Sequence, residues 1–287
     1  MRNEAQAATP PTGLARRGRR LPDQETERRM LQAAVAMVHR AGLTVSLDHI
    51  SFEDVIRDAE VSRSSVYRRW PYKDLFFGDL VKELAKDGTP AIVSDEVELI
   101  RRLVAGHLEW LATPELRHSL LVELFRQLAL FDFQTLCGSA EWRTYIALHA
   151  TFMSLADGGL RDQVQVALAE SEQGRIARIA KAWEHMARLF GYRLRPGLGA
   201  TFETVATLMD ATMRGLVIMA LSVPDIAAHR VPARPFGAAG TDAWSLPAMG
   251  LAGLATAFLE PDPAIEWDDE RLASVRQALA ALVLPDA

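Results

Sequence analysis

Helix-start and helix-stop signals punctuate this 287-residue chain from end to end, and no strand-period stretch with hairpin turn residues stands between them. That pattern predicts an all-α fold. Pro22-Asp23 opens and caps a first helix in which Met30, Leu31, Ala34, Val35 and Val38 repeat at helical spacing, and Ala41-Gly42 closes it. A short second helix begins at Ser51, in capping-box spacing with Asp54, and turns Phe52, Val55, Ile56 and Ala59 to one side. Ser62 caps a third, from Arg63 to Trp70 before Pro71. A fourth runs from Lys73 to the break at Asp87-Gly88-Thr89-Pro90. Longer, more apolar helices are expected over 95–112, 114–131, 140–156, 160–191, 199–222, 241–260 and 263–283. Thr113-Pro114 and Asp262-Pro263 serve as starts, and Gly174 as a kink. The segment 223–240, with Pro224, Pro232 and Pro235, is expected to be the longest loop.

Charge is distributed unevenly. The chain carries a net −5, yet residues 1–87 hold fifteen Lys and Arg against thirteen Asp and Glu, and the excess acid lies behind them. Residues 1–22, with Arg2, Arg16, Arg17, Arg19 and Arg20 against Glu4 alone, form an arm too polar to bury itself, suited to following a phosphate backbone. A solvated tail without a role is the plainer reading. A single cysteine, Cys137, offers neither a disulfide nor a thiol cluster, and no apolar run follows the arginines, so a cytoplasmic protein is expected. The most apolar stretch, Val205 to Val223, carries Asp210 and Arg214 in its middle, which argues against a bilayer span.

The third helix is unusual for a structural element. Only Val66 and Trp70, at i and i+4, can face a core, leaving Arg63, Ser64, Ser65, Tyr67, Arg68 and Arg69 to point outward. Two anchors beneath six polar side chains, straight after a short helix and a tight turn, is what a helix-turn-helix needs to place side chains in a major groove. Arginine reads guanine in a bidentate way, serine meets base edges or phosphate, and tyrosine reaches a phosphate oxygen. Lys73, at the start of the fourth helix, adds a point charge to free amides. An ordinary surface helix pair with solvated arginines is the competing reading.

The run from Ser51 to Leu75 resembles the DNA-binding signature of the tetracycline-repressor (TetR) family, over about residues 25–87. The resemblance implies that Arg63, Ser64, Ser65 and Arg69 face bases or backbone. It further implies that Tyr67 and Lys73 contact phosphate and that Ser51 opens the bracing helix; Arg19 and Arg20 of the arm are assigned to DNA alongside them. Glu60 stands where a turn glycine is usual, Tyr72 replaces a small capping residue, and the link from Gly42 to Ser51 is long. A left-handed backbone at Glu60 would cost about 1 kcal/mol. The implied organisation is a basic arm over 1–22, a helix-turn-helix domain over 23–87, and an effector-binding and dimerisation domain over 91–287.

In that larger domain, His107 and His149 interrupt apolar runs. With Trp110, Phe125, Trp142, Met153, Phe190, Met209 and Met213 they are the expected lining of a pocket for a mostly hydrophobic effector. Each taken singly reads equally as a core side chain. Asp210 and Arg214, at i and i+4, form either a local ion pair or a pair across a dimer seam. Pairing of two chains has a physical motive, because one short helix reads few base pairs whereas a two-fold dimer reads both halves of a palindromic operator. The helices over 199–222 and 241–260 are the expected seam, with Leu208, Leu216, Met219, Leu251, Leu254 and Phe258 available, and 263–283 competes for the role. No metal-ligand spacing, phosphate loop or nucleophile elbow is present, so no metal, cofactor or catalytic residue is expected. The expectation is a homodimeric repressor released from double-stranded DNA by a small molecule. The alternatives are a helical protein-interaction module with a degenerate helix-turn-helix, and an all-α enzyme.

Overall fold

The computed structural model describes residues 21–42, 50–86 and 94–281. The fold is all-α, as the punctuation predicts. The front helices are α1 (Asp23–Ala41), α2 (Phe52–Asp58), α3 (Arg63–Arg69) and α4 (Lys73–Lys86). The body follows as α5 (Ser94–Gly106), a 3-10 turn at Leu108–Leu111, α6 (Pro114–Gly138), α7 (Ala140–Ser154) and α8 (Gly159–Leu189). Its second half holds α9 (Phe202–Ser222), α10 (Asp225–Ala228), α11 (Leu246–Phe258) and α12 (Asp269–Ala280). Side-chain caps fix most starts: Ser51, Ser62, Thr113, Ser139, Ser245 and Asp268 each accept from a backbone amide in the first turn. Thr201 and Thr204 form a complete capping box at α9.

Several boundaries differ from expectation for identifiable reasons. Pro22 makes no side-chain cap, and Asp23 lies inside the first turn of α1, where its charge meets the helix dipole. The helix expected over 95–112 breaks after Gly106, because His107 leaves helical geometry and its ring Nδ1 engages the Leu103 carbonyl. Asp262-Pro263 starts no helix; the Asp262 carboxylate instead accepts from the Ala264 amide in a turn, and α12 begins at Asp269. The 31 residues of α8 run unbroken through Gly174 and extend about 46 Å. Two antiparallel ribbons of three-residue strands were not foreseen. β1 (Tyr192–Leu194) pairs with β4 (Leu259–Pro261), and β2 (Val231–Ala233) with β3 (Asp242–Trp244). The second ribbon and α10 fill much of the segment expected to be loop.

Apolar burial divides into two clusters. The front one collects Met30, Val38, Val55, Val66, Trp70, Phe76 and Leu80 from α1–α4, and is completed by Leu148 of α7 and Val164, Ala167 and Leu168 of α8. The larger one gathers α5, α6, α9, α11 and α12 around the C-terminal part of α8. So α8 carries a wall of both.

Candidate nucleic-acid interface and ligand cavity

The turn between α2 and α3 is closed by Glu60 at φ +52°, the left-handed conformation expected of this position despite its side chain. The turn aims α3 so that Val66 and Trp70 are fully buried, and the indole Nε1 donates to Asp79 Oδ2 at 2.8 Å. Above those anchors Arg63, Ser64, Tyr67 and Arg68 are exposed, with Lys73 exposed at the first position of α4 and Ser51 exposed as the cap of α2. Ser65 is a correction to the outward set. It is buried, and its hydroxyl accepts from Ser62 Oγ at 2.9 Å within the cap of α3. Arg19 and Arg20 lie outside the described residues.

The guanidinium groups of this face are held by the chain's own carboxylates. Arg63 pairs with Glu53 at 2.6 Å, the Tyr67 hydroxyl donates to the same carboxylate at 3.1 Å, and Arg68 pairs with Asp23. The hydrogen bond to Glu53 pushes the Tyr67 phenol above its ordinary value. Arg69 is drawn furthest back, donating through Nε and Nη2 to Glu27 at 2.9 and 3.2 Å, reaching Asp79 at 3.3 Å and lying over the Trp70 ring at 5.1 Å. Glu53 and Glu27 are therefore part of this face, although the sequence singled out only its cations and hydroxyls. Their positions on the first two helices, ten or more residues before α3, conceal the pairing in a linear reading.

The second candidate site is a cavity of about 290 Å³ enclosed by α5, α6, α7, α8, α9 and α11. Phe125, Trp142, Phe190, Met209 and Met213 line it as expected, and Trp183 stacks on Phe125 at 4.7 Å. Four expected lining residues do not reach it. His107 and Trp110 stack on each other at 4.3 Å around the 3-10 turn, because the break at Gly106 carries both away from the α5 face. Met153, at 79% exposure, lies near the α7 terminus on the outer side, and His149 faces a separate polar network.

That network joins α7, α8 and α9. Arg175 clasps Asp210 in a bidentate pair at 2.6 and 2.5 Å and reaches Glu172 at 3.1 Å. Arg214 donates to both Glu172 oxygens at 2.9 and 2.8 Å and to the Tyr145 hydroxyl at 2.8 Å, while its Nε lies 2.8 Å from Asp210. Asp210 and Arg214 are thus neighbours within one chain, in a four-residue cluster with Glu172 and Arg175. Burial pushes the Glu172 carboxyl up, but the bonds and charges from Arg214 and Arg175 outweigh it and hold the group below the usual range. Burial, with the same two arginines, lowers the His149 imidazole. Arg175 and Asp210 also line the cavity, so this network forms part of its wall.

The sequence did not point to the cavity's carboxyl groups. Asp132 of α6 and Glu96 of α5 share a hydrogen bond there, and Asp132 Oδ1 is shut from solvent without a partner. The signal was present, since Asp132 is the one charge in Leu128-Ala129-Leu130-Phe131-Asp132-Phe133.

By length and composition α9 could cross a membrane, with 28% of its most apolar window buried. Here it packs on α6, α8 and α11 and leaves Leu208, Ile218 and Met219 exposed at 40%, 48% and 54%. Of the residues expected at a dimer seam, Leu251 is buried within its own chain and so unavailable, while Leu216, Leu254 and Phe258 are half-buried. Among the described residues no group of three or more His, Cys, Asp or Glu side chains is placed to hold a metal ion. No protein-family model matches the chain, and no curated protein matches it.

Proposed function

We propose that the chain is a DNA-binding transcriptional regulator of the tetracycline-repressor type, a cytoplasmic homodimer released from a palindromic operator by a small hydrophobic effector. One observation carries the reading: a seven-residue helix, capped by Ser62 and pinned beneath by Val66 and Trp70, presents Arg63, Ser64, Tyr67 and Arg68 outward, next to Lys73 at the start of α4. Two buried anchors beneath exposed cationic and hydroxyl side chains, directly after a short helix and a tight turn, form the arrangement a groove-reading helix needs. The uncharged face of α9 bearing Leu208, Ile218 and Met219 supports self-association, which would set two such helices one or more helical turns of DNA apart.

The path from cavity to reading head runs through α8. Its C-terminal part lines the cavity, while its N-terminal part supplies Val164, Ala167 and Leu168 to the front core. A ligand that favours one tilt of α8 moves the heads, and each kcal/mol of that preference changes operator affinity about fivefold. The ion pairs of Arg63, Arg68 and Arg69 favour a second reading, a helical protein-interaction module whose helix pair no longer meets DNA. Binding to random duplex as a function of salt separates the two. Phosphate neutralisation gives a steep log-log slope, and absence of any complex at low ionic strength overturns the regulator. Footprinting on genomic fragments then identifies the operator.

A further inference from the structure

The cavity is apolar except at a few points, and those points differ in how well they are satisfied. Arg175 is paired with Asp210 through both terminal nitrogens, so its charge is neutralised where it enters the wall, although its buried Nε has no partner. Arg178 stands exposed at the rim, where water screens it. Asp132 is the carboxyl of the lining with an acceptor left open. One oxygen shares a hydrogen bond with Glu96, and the other, Oδ1, is sealed from solvent with nothing donating to it. An acceptor left bare in an apolar enclosure is costly, and a group bearing N–H donors removes that cost.

We propose that the cavity takes a lipophilic monocation, an amphiphilic ammonium whose N–H groups donate to Asp132 Oδ1 and whose charge is balanced by the Asp132–Glu96 pair. The inference rests on the reading of this cavity as the effector site and names the chemical class it admits. Phe125, with Trp183 stacked on it, and Trp142 line the same cavity and give an apolar, aromatic surface to the ligand's chain. The charged groups lining the cavity with Asp132 are Glu96 on α5, Arg175 and Arg178 on α8, and Asp210 on α9; α11 contributes Leu251 and β4 Leu259, without charge. With Arg175 and Asp210 cancelling, the interior holds an excess of carboxyl and the rim holds the remaining cation. That order admits a cation inward and would stop an anion at the mouth. Burial and the neighbouring carboxyl push the Asp132 acid well above the usual carboxylate range, so the pair shares a proton and holds one negative charge, which balances a monocation.

The test titrates the full chain with decylammonium, decanol and decanoate, three probes of equal chain length and different head charge, following tryptophan fluorescence and heat. Decylammonium is expected to bind about ten- to hundredfold more tightly than decanol, the range of a charged hydrogen bond. Asp132→Asn is expected to erase that preference while leaving decanol unchanged. Equal affinity for decylammonium and decanol in the unaltered chain overturns the proposal, and so does tighter binding of decanoate, which would move recognition to Arg178. The comparison on the unaltered chain decides the matter even where the variant folds poorly. Failure of the regulator reading is distinguishable: decylammonium binding in a chain that forms no complex with duplex removes that function and leaves the ligand class standing.

Discussion

Replacing Trp70 with alanine tests the anchoring of α3 directly. The indole is fully buried, meets Phe76 edge-on with centroids 5.1 Å apart at 81°, and donates through Nε1 to Asp79 at 2.8 Å. Truncating a buried aromatic of this size costs about 3–5 kcal/mol, a large part of the roughly 5–15 kcal/mol that holds a domain together. Trp70→Phe separates the packing from the hydrogen bond. It keeps most of the ring, and Asp79 still has Lys82 at 2.5 Å and Arg69 at 3.3 Å, so the loss should be about 1–2 kcal/mol. Urea denaturation followed by circular dichroism reads both, with the denaturant slope unchanged if only stability has moved. A loss under about 1 kcal/mol for Trp70→Ala, or equal losses for the two variants, would refute the view that this indole seats the helix.

Lys73→Ala should weaken binding to every duplex alike and lower the log-log salt slope by about one, in a filter or anisotropy assay; a changed sequence preference would contradict a phosphate role. Glu53→Gln frees Arg63 and Tyr67 and removes a negative charge from the face, so duplex affinity should rise about two- to fivefold, the effect of an exposed ion pair; a fall would mean that Glu53 orients them productively. Met219→Asp should dissociate a dimer built on α9, seen as a halved mass in sedimentation, whereas an unchanged mass would relocate the seam. For Asp132 the folded chain keeps a proton that the unfolded chain gives up above about pH 4, so its contribution is present in acid and lost as pH rises through the raised value. Asp132→Asn should therefore show a stability advantage that grows with pH across a series of melts and vanishes in acid.

Much of the helical layout was legible because caps are local. Ser51, Ser62 and Thr113 each announce a start through a hydroxyl that reaches an amide three residues on. Pro22-Asp23 did mark the start of α1, though not as a side-chain cap, whereas Asp262-Pro263 misled because an acid beside proline suits a tight bend as well as a cap. Three-residue strands are too short for alternation to register. Trp70 and Val66 were readable as anchors from their spacing, whereas Ser65 sits on the buried side with them through its bond to Ser62. The carboxylates beside Arg63, Arg68 and Arg69 come from helices distant in sequence, so no local rule reports them. For the cavity, apolar residues were recognised by type, but which of them share one enclosure depends on helix breaks such as that at Gly106, and two histidines and two other expected residues fell outside.

The wall that α7 and α8 lend to the front helices has a consequence for anyone wishing to graft this head onto another body. A cut made directly behind α4 would strip Leu148, Val164, Ala167 and Leu168 from beneath Phe76, Leu80 and Leu84 and leave the excised piece with an oily, uncovered underside. Keeping α7 and the start of α8 to Leu168 would bring α5 and α6 along, whose apolar faces belong to the body, so a graft would have to rebuild that cover. For the same reason, urea should take the head and the body apart in one transition and not two.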